Sequence, residues 1–418
     1  MLSLKYLADI RTTGKPFLEV ITLKTQSETK PVVAHSVGTW LRLTATWIYN
    51  QVKHNGAFSS IVLTRSIQNI DQFPWYPLYI NSYKHNSPVF RLLRKCKILP
   101  RDQVFNEAIR KHRPCILHSH FGDIGWSDLP TAKKNGLKHV VTFYGYDVSR
   151  LPMQHSCWGN RYRKLFDRAD LFLCEGPHMG RCLVRLGCPE EKVRVQRLGV
   201  DVQRIPFMPR IVNSDGLVKV LIAGTFREKK GIRYALESIG ILKSKYPNIR
   251  VTLIGDSTGE QRDQEEKKRI LEVIKDYDMG SILRMLGYQP YDVLLKEAYR
   301  HHIFLSPSVT ARDGDTEGGS PVTITEMAAS GMPVVSTWHC DIPEVVLDSK
   351  SGFLVKEGDI EELTLAVEKL ITAPESWKQF GEVARKHIEE KFDVTACAQS
   401  LNLNYMSLLQ QHGWREQR

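Results

Sequence analysis

The chain has 418 residues, 42% of them apolar and 25% charged, with a formal net charge of +12. This is the composition of an ordinary globular protein, and at about 100–200 residues per domain the length suggests two or three domains. No run approaches ~18 consecutive apolar residues, which excludes a recognisable transmembrane helix, and the basic residues are dispersed rather than gathered in a nucleic-acid module.

The amino terminus, MLSLKYLADIRTTGKPF, lacks a long apolar core and a small-residue cleavage site, so no signal peptide is expected. The eight cysteines (96, 115, 157, 174, 182, 188, 340 and 397) form no C-x-x-C pair and read as reduced, mostly buried thiols of a cytosolic protein. Residues 1–30 are an extension without an assignable role.

Alternating strand and helix patterns then run through two halves, predicting two doubly wound α/β units. In the first, 31–205, Pro31–Val37 is a predicted strand, Arg42–Lys53 a helix and Ser59–Thr64 a strand. Gln68–Pro100, rich in Pro, Tyr and Asn, is predicted to be irregular. Within it Phe90–Arg101, FRLLRKCKILPR, has five basic residues, no acidic one and interleaved apolar side chains. It reads either as an interfacial segment for an anionic membrane surface or as a solvated loop packed on its apolar side. Gln103–Lys111 is a predicted helix, Cys115–Ser119, His139–Phe143 and Asp170–Cys174 are strands, and His178–Leu186 is a helix. His118 and His120 share a face of their strand. They could ligate a metal, but no third ligand is evident, and His120 reads better as a cleft residue.

Residues 206–216, with two prolines and no periodicity, are the expected linker. In 217–374 the predicted strands are Lys219–Ala223, Arg250–Ile254, Ile282–Leu286, Ile303–Ser306 and Val334–Ser336, with a charged helix at Gln261–Lys275. Residues 375–418 are predicted to be helical.

The most informative segment is Asp313–Pro343. Its Gly-rich loop, Glu317-Gly318-Gly319-Ser320, feeds a helix for which Ser320 is the expected N-cap and Pro321 the first residue. The helix should end at Gly331, and Pro333–Ser336 returns as strand. A Gly-rich turn at a helix N-terminus is an anion site, because free N–H groups and the helix dipole converge there. Glu326, in the second turn, could grip vicinal hydroxyls, so the pair describes a nucleotide-sugar site. Asp313-Gly314-Asp315 resembles a metal-binding Asp-x-Asp, but its position late in a second domain argues against that use.

Glu326-Met327-Ala328-Ala329-Ser330-Gly331-Met332-Pro333-Val334-Val335 resembles the signature of the group 1, family-four retaining glycosyltransferases. VKVLIAGTFREKKGIRYALES at 218–238, LGCPEEKVRVQRLGVD at 186–201, CILHSHFGD at 115–123 and HVVTFYGYD at 139–147 are similar to further family segments in the same order. Family members usually have seven residues between the two acidic positions, whereas eight separate Glu317 from Glu326. They often have Arg at Thr225 and His at Tyr144.

The resemblance implies a GT-B fold: two Rossmann-like domains facing a cleft, with the C-terminal helix crossing back to the first. It implies transfer of a sugar, with retention, from a nucleotide sugar to a hydroxyl of a glycan or lipid-linked glycan, without a metal cofactor. Glu317, Lys230, Arg227 and His120 are the implied catalytic residues. Glu326, Gly318, Gly319, Ser320, Pro321, Thr225, Gly287 and Tyr288 would bind donor, while Tyr144, Gly145 and Asp147 would line the acceptor side. Lys230 and Glu326 should line an open cleft, so replacing either should leave the fold intact. The competing reading, supported only by the departures at Tyr144 and Thr225, is a non-catalytic protein that kept the fold and binds a sugar nucleotide or glycan. The implied location is the cytoplasm, at most peripheral on the membrane, with no nucleic-acid partner.

Overall fold

The computed structural model describes residues 30–42, 45–81, 103–212 and 214–410. The basic segment Phe90–Arg101 and the extension before Lys30 lie outside the described residues.

Thirteen strands form two sheets among these residues. The first contains β1 (Val32–Trp40), β2 (Ser59–Ile67), β3 (Leu78–Ile80), β4 (Ile116–His120), β5 (Lys138–Thr142), β6 (Leu171–Cys174) and β7 (Val193–Val195), in the order β3-β2-β1-β4-β5-β6-β7. The second contains β8 (Val218–Ala223), β9 (Ile249–Ile254), β10 (Leu283–Met285), β11 (Ile303–Leu305), β12 (Val334–Thr337) and β13 (Gly352–Val355), in the order β10-β9-β8-β11-β12-β13. Every pairing is parallel.

Parallel strands are covered by helices on both faces and so carry continuous apolar runs. Ile61-Val62-Leu63 in β2 and Leu171-Phe172-Leu173 in β6 are such runs, and all six residues are buried. Burying one such side chain contributes roughly 1.5–3 kcal/mol. Each sheet reverses its strand order once, between β1 and β4 and between β8 and β11, and in open α/β sheets ligands bind beyond the carboxyl ends of strands at such a point.

The short strands β3, β7 and β13 and the helices Gly122–Asn135 and Cys157–Arg168 are additions to the predicted elements. β3 falls inside the interval expected to be irregular. The predicted linker is fastened rather than free. Arg210 within it is buried and donates to the carbonyls of Met208, Ala298, His301 and Ser330 and to Ser330 Oγ.

The chain then crosses back, as expected. The helix Trp377–Lys391 packs Ala384 and Ile388 into the second domain's core, and the helix Val394–Gln410 buries Leu401, Tyr405, Leu408 and Leu409 with Val33, Ile116 and Leu173 of the first sheet. Among the described residues no helix is long and apolar enough to cross a membrane.

Candidate donor site between the two sheets

Loops from the carboxyl ends of both sheets meet at Glu317–Ser320. Gly145, after β5, has φ +118° and Gly318 has φ +78°, a region open chiefly to glycine. Their backbones are in contact: a Cβ at Gly145 would lie 2.5 Å from Glu317 O, and one at Gly318 would lie 2.2 Å from Gly145 Cα. Asp341, after β12, reaches the other way, its carboxylate accepting from the N–H groups of His178 (2.7 Å) and Met179 (3.2 Å). It thereby caps the helix Pro177–Arg185 of the first domain, and backbone and carboxylate together hold the two loop sets in register.

The helix after the loop runs Val322–Ala329. Pro321 precedes it with ψ 127° rather than opening it, and Ser320 makes no capping hydrogen bond. The expected cap is therefore absent, because the chain enters one residue later than predicted. Ser320 Oγ is left buried without a partner, and the first N–H groups of the helix have no side-chain acceptor. Such a terminus retains its capacity for an anion.

Glu317 is the charged centre of the loop. Its Oε2 accepts from Lys230 Nζ at 2.9 Å and its Oε1 from Ser308 Oγ at 2.9 Å, while its own N–H donates to His339 Nε2 at 3.1 Å. Burial alone would raise its carboxyl, but Lys230 and Lys229 outweigh that and hold it below the usual carboxylate range. Glu357 accepts from His339 Nδ1 at 2.8 Å, which fixes the ring so that Nε2 faces the Glu317 backbone.

Arg227 is not placed like Lys230. It pairs with Asp263 (3.2 Å) and Glu260 (3.4 Å), whereas Lys230 pairs with Glu317. Thr225 hydrogen-bonds to Tyr288, a half-exposed ring, and Gly287 accepts from the Gly255 N–H at 2.8 Å. Arg227 also acts on Tyr288, so these residues neighbour one another. Asp313 and Asp315 share Arg262 at 3.0 Å each. Asp315 also pairs with Lys229 (3.1 Å) and Asp313 with Arg150 of the first domain (2.9 Å). Both carboxylates of this Asp-x-Asp are thus committed to cations.

Glu326 is 7% exposed, and burial pushes its carboxyl up to about 7 despite a hydrogen bond from the Tyr291 hydroxyl, which favours the carboxylate. Lys230 and Glu317 are 22% and 6% exposed at their side chains. The expected open cleft is therefore a narrow one, in whose walls these side chains are largely enclosed.

Asp147, expected on the acceptor side, and His120, expected among the catalytic residues, both prove internal. Asp147 is fully buried and its carboxylate accepts from the N–H groups of Gly122, Tyr144 and Gly145 at 2.8–3.0 Å, so it shapes the loop. His120 is fully buried too, and it reaches the cleft wall only through Tyr144, whose hydroxyl lies 2.6 Å from its Nδ1. Tyr144 shares an apolar cluster with Leu198, and Val322 at the start of the Glu326 helix packs against that cluster.

The histidine cluster gains a third member from β1. His35 pairs in register with His118, and its Nδ1 lies 3.1 Å from His120 Nε2. Nitrogens of all three lie within 4.8 Å of one another. A shared metal would require convergent lone pairs, yet His118 stacks on His120 at 4.3 Å and turns its nitrogens to Tyr405 and Thr142, each at 2.6 Å. Burial keeps all three rings neutral, with His35 down to about 3. The cluster reads as a hydrogen-bonded core that supports Tyr144.

Ser308, His339, Tyr291, Asp341 and Glu175 are functional candidates that sequence reasoning did not single out. Glu175 had a signal available: it directly follows β6 at a carboxyl end, where site residues concentrate in this architecture.

Residues 206–387 match the family described as glycosyl transferases group 1, and residues 60–204 match glycosyltransferase family 4. The chain is 33% identical over 307 residues to a protein of Escherichia coli named as the colanic acid biosynthesis glycosyltransferase WcaL, covering 71% of each chain. It is 31% identical over 258 residues to the amylovoran biosynthesis glycosyltransferase AmsK of Erwinia amylovora, covering 61% of this chain and 60% of that one. Among solved structures, Anabaena HepE in complex with UDP-glucose superposes with a TM-score of 0.72 at 16% identity, over 90% of this chain and 99% of the other. Sucrose-phosphate synthase from Thermosynechococcus elongatus gives 0.70 at 17% identity, over 91% and 100%. With its fold, its Glu317–Glu326 loop and helix, and these relatives together, the chain belongs to the group 1 glycosyltransferases of GT-B fold.

Proposed function

We propose that the protein moves a sugar from a nucleoside diphosphate sugar to a hydroxyl of a glycan or lipid-linked glycan, with retention, during assembly of a bacterial-type exopolysaccharide. The observation that carries this reading is the convergence of Glu317, Lys230, Glu326 and the uncapped Val322–Ala329 helix beneath backbone from the other domain. The naming of WcaL and AmsK and the UDP-glucose complex of HepE support the substrate class.

In this account the diphosphate takes the helix N-terminus, and Glu326 accepts hydrogen bonds from the ribose hydroxyls. Lys230 turns from Glu317 to the phosphate as charge develops on the departing oxygen, where a fixed cation in a narrow cleft is most effective. Glu317, still held by Ser308 and freed of Lys230, accepts from a hydroxyl of the transferred sugar. The departing phosphate oxygen takes the acceptor proton on the same face, which gives retention. Domain contact through Gly145 and Asp341 excludes water from the donor. The commitment of Asp313 and Asp315 to cations supports a reaction that needs no divalent metal.

The test is a screen of purified protein against UDP-, GDP- and ADP-sugars for thermal stabilisation and for nucleoside diphosphate release. At least one donor should stabilise the protein and be turned over, and the product's anomeric configuration should match the donor's. Binding without any release would favour a non-catalytic sugar-nucleotide-binding protein, and an inverted product would overturn retention.

A further inference from the structure

Two cysteines and two histidines meet at the boundary between the domains. Cys182 lies on the helix Pro177–Arg185 of the first domain, and Cys340 lies in the loop after β12 of the second. Asp341 pins that loop to the first turn of the helix through the His178 N–H. Cys182 stands one helical turn beyond His178, on the same face. His178 Nε2 lies 3.4 Å from Cys182 Sγ, and the same ring hydrogen-bonds to Cys340. Arg185 donates to Cys182 Sγ at 2.9 Å, and Cys340 Sγ lies 3.2 Å from His339 Nε2. Both thiols are partly exposed. Cys340 is held at φ +49°, a conformation that is costly for a residue with a Cβ.

This setting favours the thiolate form. Burial alone would raise the Cys182 thiol, but His178 and Arg185 outweigh that and hold it below its ordinary value. Burial would raise Cys340 as well, yet hydrogen bonding to His178 outweighs it and brings the thiol down to about 7. His178 is raised in turn, to about 10, by its hydrogen bonds to Cys182 and Cys340, so it keeps its proton beside both sulfurs. Cys174, Cys188 and Cys397 are pushed the other way, each up to about 12, by burial. The thiolate is the nucleophile, and accessible thiolates poised next to a second cysteine are the usual targets of peroxides.

We propose that Cys182 and Cys340 form an oxidant-sensitive pair that fastens the two domains together as a disulfide. The Cys182 thiolate attacks one oxygen of hydrogen peroxide. An S–O bond forms, the O–O bond breaks, and the departing hydroxide takes the His178 proton to leave as water. Sulfur loses two electrons and the peroxide gains them, which leaves a sulfenic acid on Cys182. His178, now neutral, turns aside, and the Cys340 sulfur attacks the Cys182 sulfur. The hydroxide of the sulfenic acid departs as water with the proton that Cys340 gives up. The disulfide ties the loop that carries His339 and Asp341 to the first domain, and a dithiol reverses it by exchange. A cleft tied shut exchanges substrate and product slowly, so turnover falls, a consequence that rests on the transferase reading.

Reduced protein would be treated with hydrogen peroxide, with and without dimedone, and digested without reduction for mass spectrometry. The parent should yield a linked Cys182–Cys340 peptide that dithiothreitol removes. Cys340→Ser should yield no link and accumulate the dimedone adduct at Cys182, and Cys182→Ser should yield no link; circular dichroism checks that both variants fold. Oxidation should also raise the parent's unfolding midpoint and lower its diphosphate release about tenfold, using whichever UDP-, GDP- or ADP-sugar it turns over. Dithiothreitol should reverse both changes. A parent that forms no linked peptide, or whose first adduct forms at the exposed Cys157, would overturn the pair. A linked protein that turns over donor like the reduced one would overturn the lock on the cleft. If the reduced parent released diphosphate from no donor, the transferase reading would fail, while the linked peptide would still decide the thiol pair.

Discussion

Replacing Lys230 by Met probes the centre of the loop, because it leaves Glu317 charged in a site where its side chain is 6% exposed. The Nζ–Oε2 separation is 2.9 Å, which at an effective dielectric constant of about 20 corresponds to about 6 kcal/mol of attraction. Lys229 and Ser308 remain to hold the carboxylate, so the net loss falls at the low end of the ~3–5 kcal/mol typical of a broken buried pair, about 3 kcal/mol. At roughly 2–4 °C per kcal/mol for a domain of this size, the unfolding midpoint should drop by about 6–12 °C. Adding Glu317→Gln removes the stranded charge while an amide oxygen still accepts from Ser308. The double variant should recover about two-thirds of the loss. The assay is urea and thermal unfolding of the parent, both single variants and the double variant at pH 7.5 without donor, analysed as a double-mutant cycle. A Lys230→Met protein within about 0.5 kcal/mol of the parent, or a double variant whose losses simply add, would refute the view that this pair sustains the site's electrostatics.

Three further outcomes follow from the same geometry. Because Asp313 and Asp315 are held by Arg262, Lys229 and Arg150, transfer should be unchanged in excess chelator; rescue of a chelated enzyme by Mg²⁺ or Mn²⁺ alone would contradict this. Glu326→Gln should gain stability over the parent as pH rises. The folded carboxyl titrates at about 7 and the unfolded one near ~4.3, so between those values the folded parent binds the extra proton and its stability falls with pH. The difference should reach on the order of 3 kcal/mol by pH 8 and then level off, and a pH-independent difference in unfolding free energy would show that Glu326 is not buried as described. If Phe90–Arg101 is an interfacial segment, the protein should bind anionic vesicles more than neutral ones, and less at high salt. Replacing Arg91, Arg94, Lys95 and Lys97 by Gln should then weaken binding, and equal binding would place the contact elsewhere.

The two-sheet plan was legible because parallel strands buried on both faces leave dense apolar runs, as in β2, β6 and β8. The missed strands β3, β7 and β13 have three or four residues each, too few for a periodic signal. The helix Gly122–Asn135 contains Gly125 and Pro130, both unfavourable in a helix interior, which weakens its sequence signal; a Cβ at Gly125 would lie 2.7 Å from Val141, so that glycine serves close helix–sheet packing. Within the site, Glu317, Lys230 and Glu326 could be found because loop, helix and carboxylates are contiguous or carry a known spacing. Partners distant in sequence left no such trace. His35 joins His120 across 85 positions and Asp341 caps a helix 163 positions earlier, juxtapositions that only strand order and domain closure create. Arg227 shows the converse: the resemblance put it beside Lys230 as a catalytic residue, but its side chain pairs with Glu260 and Asp263 rather than with Glu317.

On the proposed function, Glu326 in the helix Val322–Ala329 holds the donor. The most direct measurement is donor affinity by calorimetry and diphosphate release for the parent and Glu326→Ala, using whichever sugar nucleotide the parent turns over fastest. Loss of charge-assisted hydrogen bonds of roughly 1.5–3 kcal/mol predicts a fall of about ten- to more than a hundredfold in affinity or turnover. A folded Glu326→Ala protein that binds and turns over the donor as the parent does would contradict the account.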